Sequence, residues 1–138
     1  TTTDIQEINH YILNLMHAYS QYLANMKEEK ILDLISNAKN YIDQHLCDTD
    51  LTADSVALSM DYNATYLNRI FKSQYAMSMK EYINVSRVEL AKKLLVETDL
   101  STLEISSKLG IENSNYFYTF FKKHTGSTPN QYRIDNKA

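Results

Sequence analysis

The sequence is short of helix-breaking residues and of the residues that build sulfur sites. Its 138 residues include two glycines, Gly110 and Gly126, and one proline, Pro129. A sandwich, a barrel or a glycine-rich phosphate cradle needs more turn chemistry than this, so the scarcity points to helices. A single cysteine, Cys47, excludes an internal disulfide and a multi-thiolate metal site. Near the end of an amphipathic stretch, Cys47 is expected to be a small buried side chain. His10, His17, His45 and His124 never fall at zinc-ligand spacings, and nothing near His45 and Cys47 completes four ligands. No metal and no cofactor is therefore expected. No apolar run approaches the roughly 20 residues of a membrane span, and no signal peptide is present, so the chain is expected to be cytoplasmic. There is no nucleophile with a placed base, no paired carboxylates in a recognisable motif and no phosphate-binding loop, which argues against an enzyme. The first residues, Thr1 to Thr3, include no initiating Met and suggest a piece of a longer protein.

Apolar residues make up 43% of the chain and charged residues 22%, enough for a packed core in one domain with a helical attachment. The net charge of −3 hides an asymmetry. Residues 1–50 hold 3 basic and 8 acidic side chains, whereas residues 63–133 hold 10 basic and 6 acidic. A positive field therefore belongs to the C-terminal part, where it could attract phosphates.

Residues 4–27 carry Ile5, Ile8, Ile12, Leu15, Tyr19, Tyr22 and Met26 at alternating spacings of three and four, a heptad seam on an amphipathic helix. The seam stops there, because its next positions would be Glu29 and Asp33. Two readings compete: a coiled-coil contact with a second chain, or packing on the chain's own domain or on an upstream one. Residues 1–29 are read as a connector or dimerisation helix. A second helix is expected over 30–46, with Ile31, Leu34, Ile35, Ala38, Tyr41, Ile42 and Leu46 on its apolar face.

Capping signals are dense beyond Leu51. Thr52 is expected to cap a short helix, with Leu51 and Val56 as a hydrophobic staple. Ser101 with Glu104, Ser78 with Glu81 and Thr128 with Gln131 read as capping boxes, the last with Pro129 at the first helical position. The signals form two matched sets. Leu51, Val56, Ala57 and Met60 run parallel to Leu100, Ile105, Ser106 and Leu109, forty-nine positions on. After one inserted residue, Tyr66, Leu67, Phe71, Lys72 and Tyr82 run parallel to Tyr116, Phe117, Phe121, Lys122 and Tyr132, fifty positions on. Each repeat reads as a short helix, a tight turn and a second helix of about 11 residues, which is the helix-turn-helix. The repeats span about 51–75 and 100–125, with a linking helix over about 79–97. Val56, Ala57, Leu67, Ile70 and Phe71 are expected in one small core; Ile105, Leu109, Phe117, Phe120 and Phe121 in the other. Tyr11, Tyr41, Tyr66, Tyr82, Tyr116 and Tyr132 mostly fall at core-facing spacings.

The fold expected is thus all-α, two helix-turn-helix repeats joined by a long linker helix and preceded by an amphipathic helix. The outer faces of the second helices carry amides, hydroxyls and cations, the groups that bind base edges and phosphates. A helical protein-interaction module with solvated polar faces is the competing reading. RNA is less suited, since no sheet of exposed aromatics is available for stacking bases.

These residues resemble the AraC/XylS-type DNA-binding domain of bacterial transcription regulators. The end of the chain, Phe121-Lys122-Lys123, Gly126, Thr128-Pro129 and Tyr132-Arg133, resembles that family's most specific signature, and Arg87 with Ala91 and Leu94-Leu95 is similar to its linker helix. The resemblance covers about residues 31–135, and the DNA-binding domain is placed at 30–138. It implies a seven-helix fold that binds double-stranded DNA sequence-specifically, regulates and commonly activates transcription, and contacts RNA polymerase. A sensor or receiver domain is expected upstream, and residues 4–27 could form a homodimer. Carried over by position, Thr65, Asn68 and Arg69 of the first repeat and Ser114, Asn115 and Tyr118 of the second would read bases. Lys72, Thr119, Lys122 and Lys123 would meet phosphates, although Thr119 stands where the family often has Arg or Lys. Arg87 is expected to pair internally with a carboxylate. Ala76 stands where glycine is usual, so the first repeat is not expected to share the left-handed helix exit of Gly126. Asp61 likewise replaces a glycine that Gly110 keeps.

Overall fold

The computed structural model describes residues 1–137, which form seven helices: α1 (Thr2–Gln44), α2 (Ala53–Ser59), α3 (Ala64–Tyr75), α4 (Met79–Glu97), α5 (Thr102–Lys108), α6 (Ser114–Thr125) and α7 (Pro129–Asn136). The expected break near residue 29 is not there. α1 runs on for 43 residues, because the segment from Met26 to Leu34 holds no glycine or proline and, Ile31 and Asp33 apart, consists of good helix formers. The loss of the heptad seam changes what the helix exposes, not whether it is a helix. By backbone contacts the chain divides into Thr1–Ser36 and Asn37–Ala138. In the first unit the seam residues from Ile5 to Met26 are 46–63% exposed, as are Leu13 and Met16 at their flank.

In the second unit the helix boundaries follow from caps. Thr52, Ser78 and Ser101 each accept from the backbone N–H three residues on, and Ser55, Glu81 and Glu104 return the bond to the cap N–H. The recognition-type helices α3 and α6 start at Asn63 and Asn113, fifty positions apart, each with its side-chain oxygen on the first-turn N–H groups. Each cap stabilises its helix by about 1 kcal/mol. Thr128 caps α7 with Pro129 in the first turn, but the fourth box is only half formed. Gln131 turns away and donates to Asp135 Oδ1 instead, at 2.8 Å.

Both cores close as the periodicity predicts. Val56, Ala57, Leu67, Ile70 and Phe71 are buried in the first repeat. Ile105, Leu109, Phe117, Phe120 and Phe121 cluster with Val88, Ala91 and Leu95 of α4 in the second. α4 packs against α3, α5, α6 and α7, so it is shared by both repeats. The inserted residue can now be placed. Tyr62 N–H bonds Ala57 O and Ile111 N–H bonds Ser106 O, forty-nine apart, while the caps are fifty apart. The extra residue is therefore Glu112, just before α6.

Four side-chain expectations need correction. Cys47 is exposed, because it sits in the turn after α1 rather than on the helix face. Tyr116 is 51% and Tyr11 65% exposed, whereas Tyr41, Tyr66, Tyr82 and Tyr132 are half-buried. Ala76 does adopt the left-handed conformation, at φ 58°, matching Gly126 at φ 83°. Closing the helix α3 outweighs the methyl clash, since Ala76 N–H bonds Lys72 O just as Gly126 N–H bonds Lys122 O. Arg87 is buried and has no carboxylate partner among the described residues. Its Nε donates to Leu46 O at 3.0 Å and its Nη2 to Asp48 O at 2.9 Å.

Arg133 does the same work one repeat later. Its Nε donates to Leu95 O at 2.9 Å, and its Nη2 reaches the carbonyls of Thr98 and Leu100. Leu46 and Leu95 are forty-nine positions apart, so each repeat begins at a helix end whose orphan carbonyls are met by an arginine. Burial lowers the proton affinity of Arg87 below its ordinary value, the expected sign for a cation removed from water.

Candidate nucleic-acid interface

The outer faces of α3 and α6 match position for position, fifty residues apart. Thr65, Arg69 and Lys72 lie at i, i+4 and i+7 on α3 and are exposed; Asn115, Thr119 and Lys122 hold the same positions on α6 and are exposed too. Tyr118, 45% exposed, and Lys123 extend the α6 face. Arg69 is held by its guanidinium lying 5.4 Å from the centre of the Tyr66 ring, one turn back. A guanidinium stacked on an aromatic loses less freedom when it forms a fork of bonds to an acceptor pair.

Two of the base-reading candidates are less exposed than their neighbours. Asn68 and Ser114 are half-buried. Asn68 Oδ1 accepts from the backbone N–H of Met79 at 2.9 Å, tying α3 to the first turn of α4. That leaves the amide NH2 of Asn68 to offer outward, which suits an acceptor edge and not the two-bond pairing of an amide with adenine. Thr119 is also engaged. Its hydroxyl donates to Asn115 O at 3.0 Å, so a phosphate contact through that proton requires this bond to open. Lys72, Lys122 and Lys123 are exposed with no ion-pair partner among the described residues.

The two turns differ. Asp61 and Gly110 both have positive φ, 59° and 74°. Gly110 is packed under the turn after α1: a Cβ on it would lie 2.6 Å from Cys47 O and 2.9 Å from the carbonyl carbon and oxygen of Asp48. Within the second unit the second helix-turn-helix is thus pressed onto the same turn that Arg87 clamps. Sequence reasoning placed Gly110 as a turn residue but could not see this contact, which joins segments more than sixty positions apart.

A helix-turn-helix domain model matches residues 56–134, more than half of the chain. The chain belongs to the helix-turn-helix domain family. Among solved structures it is similar to the C-terminal domain of AraT, a response regulator from Geobacillus stearothermophilus, at 35% identity and a TM-score of 0.75, covering 76% of this chain and 87% of that one. Among curated proteins it is 39% identical over 104 residues to YtdP, an uncharacterized HTH-type transcriptional regulator of Bacillus subtilis, covering 75% of this chain and 14% of the relative. It is 38% identical over 96 residues to the melibiose operon regulatory protein of Escherichia coli K12, covering 70% of this chain and 30% of the relative. This helix-turn-helix domain spans well under two thirds of the length of those curated relatives. The kinship is to bacterial transcription regulators and carries a general role in DNA binding and transcription regulation. Among the described residues no helix is long and apolar enough to cross a membrane.

Proposed function

We propose that this domain is of the AraC/XylS type and binds double-stranded DNA sequence-specifically through two recognition helices, α3 and α6, in successive major grooves. The observation that carries the reading is the register of the two exposed polar faces, Thr65, Arg69 and Lys72 against Asn115, Thr119 and Lys122, on a duplicated scaffold. Arg69 is the strongest reader, suited to the O6 and N7 of guanine; Asn115 suits adenine, with Thr65, Asn68, Ser114 and Tyr118 beside them. Lys72, Lys122 and Lys123 supply phosphate contacts, and Thr119 a weaker one. Asp61 and Glu112 stand just before α3 and α6 and repel a phosphate at those helix starts, so affinity for arbitrary sequence is expected to be modest.

On this reading the domain serves a longer bacterial regulator, cytoplasmic, with a sensor or receiver domain upstream. The likeness to a response regulator's C-terminal domain supports a receiver. The exposed seam from Ile5 to Met26 supports a homodimer through residues 4–27, since a lone helix in water gains nothing from such a stripe. Activation through RNA polymerase is what the family resemblance implies.

Selection of bound duplexes from a random 40-base-pair library tests the reading. Two short blocks about one helical turn, roughly 34 Å, apart are expected. Arg69→Ala should erase preference in one block and Asn115→Ala in the other, with the fold intact. Absence of any motif from folded protein would refute DNA reading and favour a protein-interaction module. Sedimentation of the wild type against Ile12→Lys tests the dimer, and a promoter reporter distinguishes activation from repression.

A further inference from the structure

An open cleft of about 600 Å³ lies between the N-terminal half of α4 and one side of α6. Its walls include Lys80 and Asn84 from α4, and Thr119, Lys123 and His124 from α6. Tyr116 and Phe120, stacked with their planes 2° apart, form its apolar side. The cleft carries two lysines against a single carboxylate, Glu81, and that carboxylate is turned to the backbone N–H of Ser78 in the α4 capping box. Asn84, Tyr116 and Lys80 also line an adjoining cavity of about 360 Å³ that reaches Thr52 and Ala53 at the start of α2. A trough with a largely apolar floor and two lysines at its walls therefore crosses the middle of the domain, with Asp54 at the α2 end.

Its position says what it is suited to hold. At one end, the first turn of α4 is tied to α3 by the bond from Met79 N–H to Asn68 Oδ1. At the other, Thr119 belongs both to the cleft wall and to the exposed face of α6. The cleft thus adjoins α3 through Met79 and the exposed face of α6 through Thr119, which is where a polymer engaging both helices would cross the domain. We infer that the cleft is a third DNA contact, built to take the phosphodiester backbone that runs between the two major-groove sites, with Lys80 and Lys123 as its cations and Asn84 and His124 as further polar groups. The inference rests on the DNA-binding reading and adds Lys80, Asn84 and His124 to its surface. It also assigns Lys123 to the centre of the interface and not to the α6 groove. Such contacts position the domain without reading sequence.

The test is fluorescence anisotropy with the 138-residue chain and a labelled 30-base-pair duplex of random sequence, from 50 to 200 mM KCl. Each neutralised phosphate contributes about 0.9 to the slope of log affinity against log salt. Lys80→Ala and Lys123→Ala should each lower the slope by about that amount, reducing the effect of the fourfold salt change by about 3.5-fold. Lys93→Ala, exposed on α4 away from the cleft, should leave it unchanged. Lys80 and Lys123 are exposed, so thermal melting should not move. An unchanged slope in Lys80→Ala, while Lys72→Ala and Lys122→Ala lower it, would overturn the inference and leave the DNA-binding reading standing. An effect of Lys123→Ala alone would also overturn it, by returning that lysine to α6. If the wild type shows no salt-dependent binding, both fall together.

Discussion

Replacing Gly110 by alanine separates two physical effects that the fold combines at one position. The first is backbone strain, since φ is +74° and an alanine in the left-handed region costs about 1–2 kcal/mol. The second is collision. The added Cβ would lie 2.6 Å from Cys47 O and 2.9 Å from Asp48 C and O, all backbone atoms with no flexible end to swing away. The turn must shift, and with it Leu46 O and Asp48 O, the two carbonyls bonded to Arg87. Weakening one hydrogen bond to a charged group costs about 1.5–3 kcal/mol. The total is about 2–4 kcal/mol once the freedom that alanine removes from the unfolded chain, about 0.4–1 kcal/mol, is deducted. Gly126→Ala supplies the control, because φ there is +83° and a Cβ would meet nothing within 4 Å. It should cost about 1 kcal/mol, the strain less the same unfolded-state deduction. In urea denaturation the two variants should therefore differ by about 2 kcal/mol, and in thermal melting by about 8–16 °C for a unit of this size. Equal destabilisation would refute the claim that the turn after α1 seats on Gly110.

Three further outcomes are expected. Ala76→Gly should stabilise the protein by up to about 1 kcal/mol in the same denaturation assay, because it relieves an alanine at φ 58°; destabilisation would mean that the helix exit is not left-handed. Asn68→Ala should cost about 1–2 kcal/mol through the unmet Met79 N–H, and Asn68→Asp, which keeps the acceptor, should recover most of it; no stability change in either would show that the bond from Met79 does not form. Tyr82 donates its hydroxyl to Asp43 at 2.8 Å, and burial first, then that bond, raises its pKa. A raised folded value means a contribution fully present below the unfolded value near pH 10 and lost as pH rises through the folded one. Tyr82→Phe should thus lower stability at neutral pH by about 0.5–1.5 kcal/mol and flatten the alkaline decline, as read from melting temperature between pH 8 and 11.

What local chemistry controls was legible before any coordinates. Caps at Thr52, Ser78, Ser101 and Thr128, two sets of core residues and a repeat near fifty positions placed five of the helices, and the start of α7, to within a residue or two, because side-chain oxygens and apolar spacing act within one or two turns. Most residues on the outer faces of α3 and α6 were legible for the same reason, but the half-burial of Asn68 and Ser114 was not. Where the sequence pattern misled, a continuous property was mistaken for a boundary: the seam ends at Met26, but helix propensity does not, and α1 continues to Gln44.

Tertiary structure decided the rest, and in each case the partner lies far along the chain. Arg87 bonds carbonyls at Leu46 and Asp48, Arg133 those at Leu95, Thr98 and Leu100, and Gly110 supports the backbone of Cys47 and Asp48. Backbone carbonyls carry no residue identity, so no spacing rule points from an arginine to them. The cleft between α4 and α6 is likewise invisible to periodicity, because Lys80 and Lys123 are forty-three positions apart and line one cleft only when α4 is shared by both repeats. By itself the sequence determined the repeating parts and their polar faces, through short-range hydrogen bonds and apolar spacing. How the parts are clamped, and where positive charge converges between them, was settled only by packing that brings distant segments within a few ångströms.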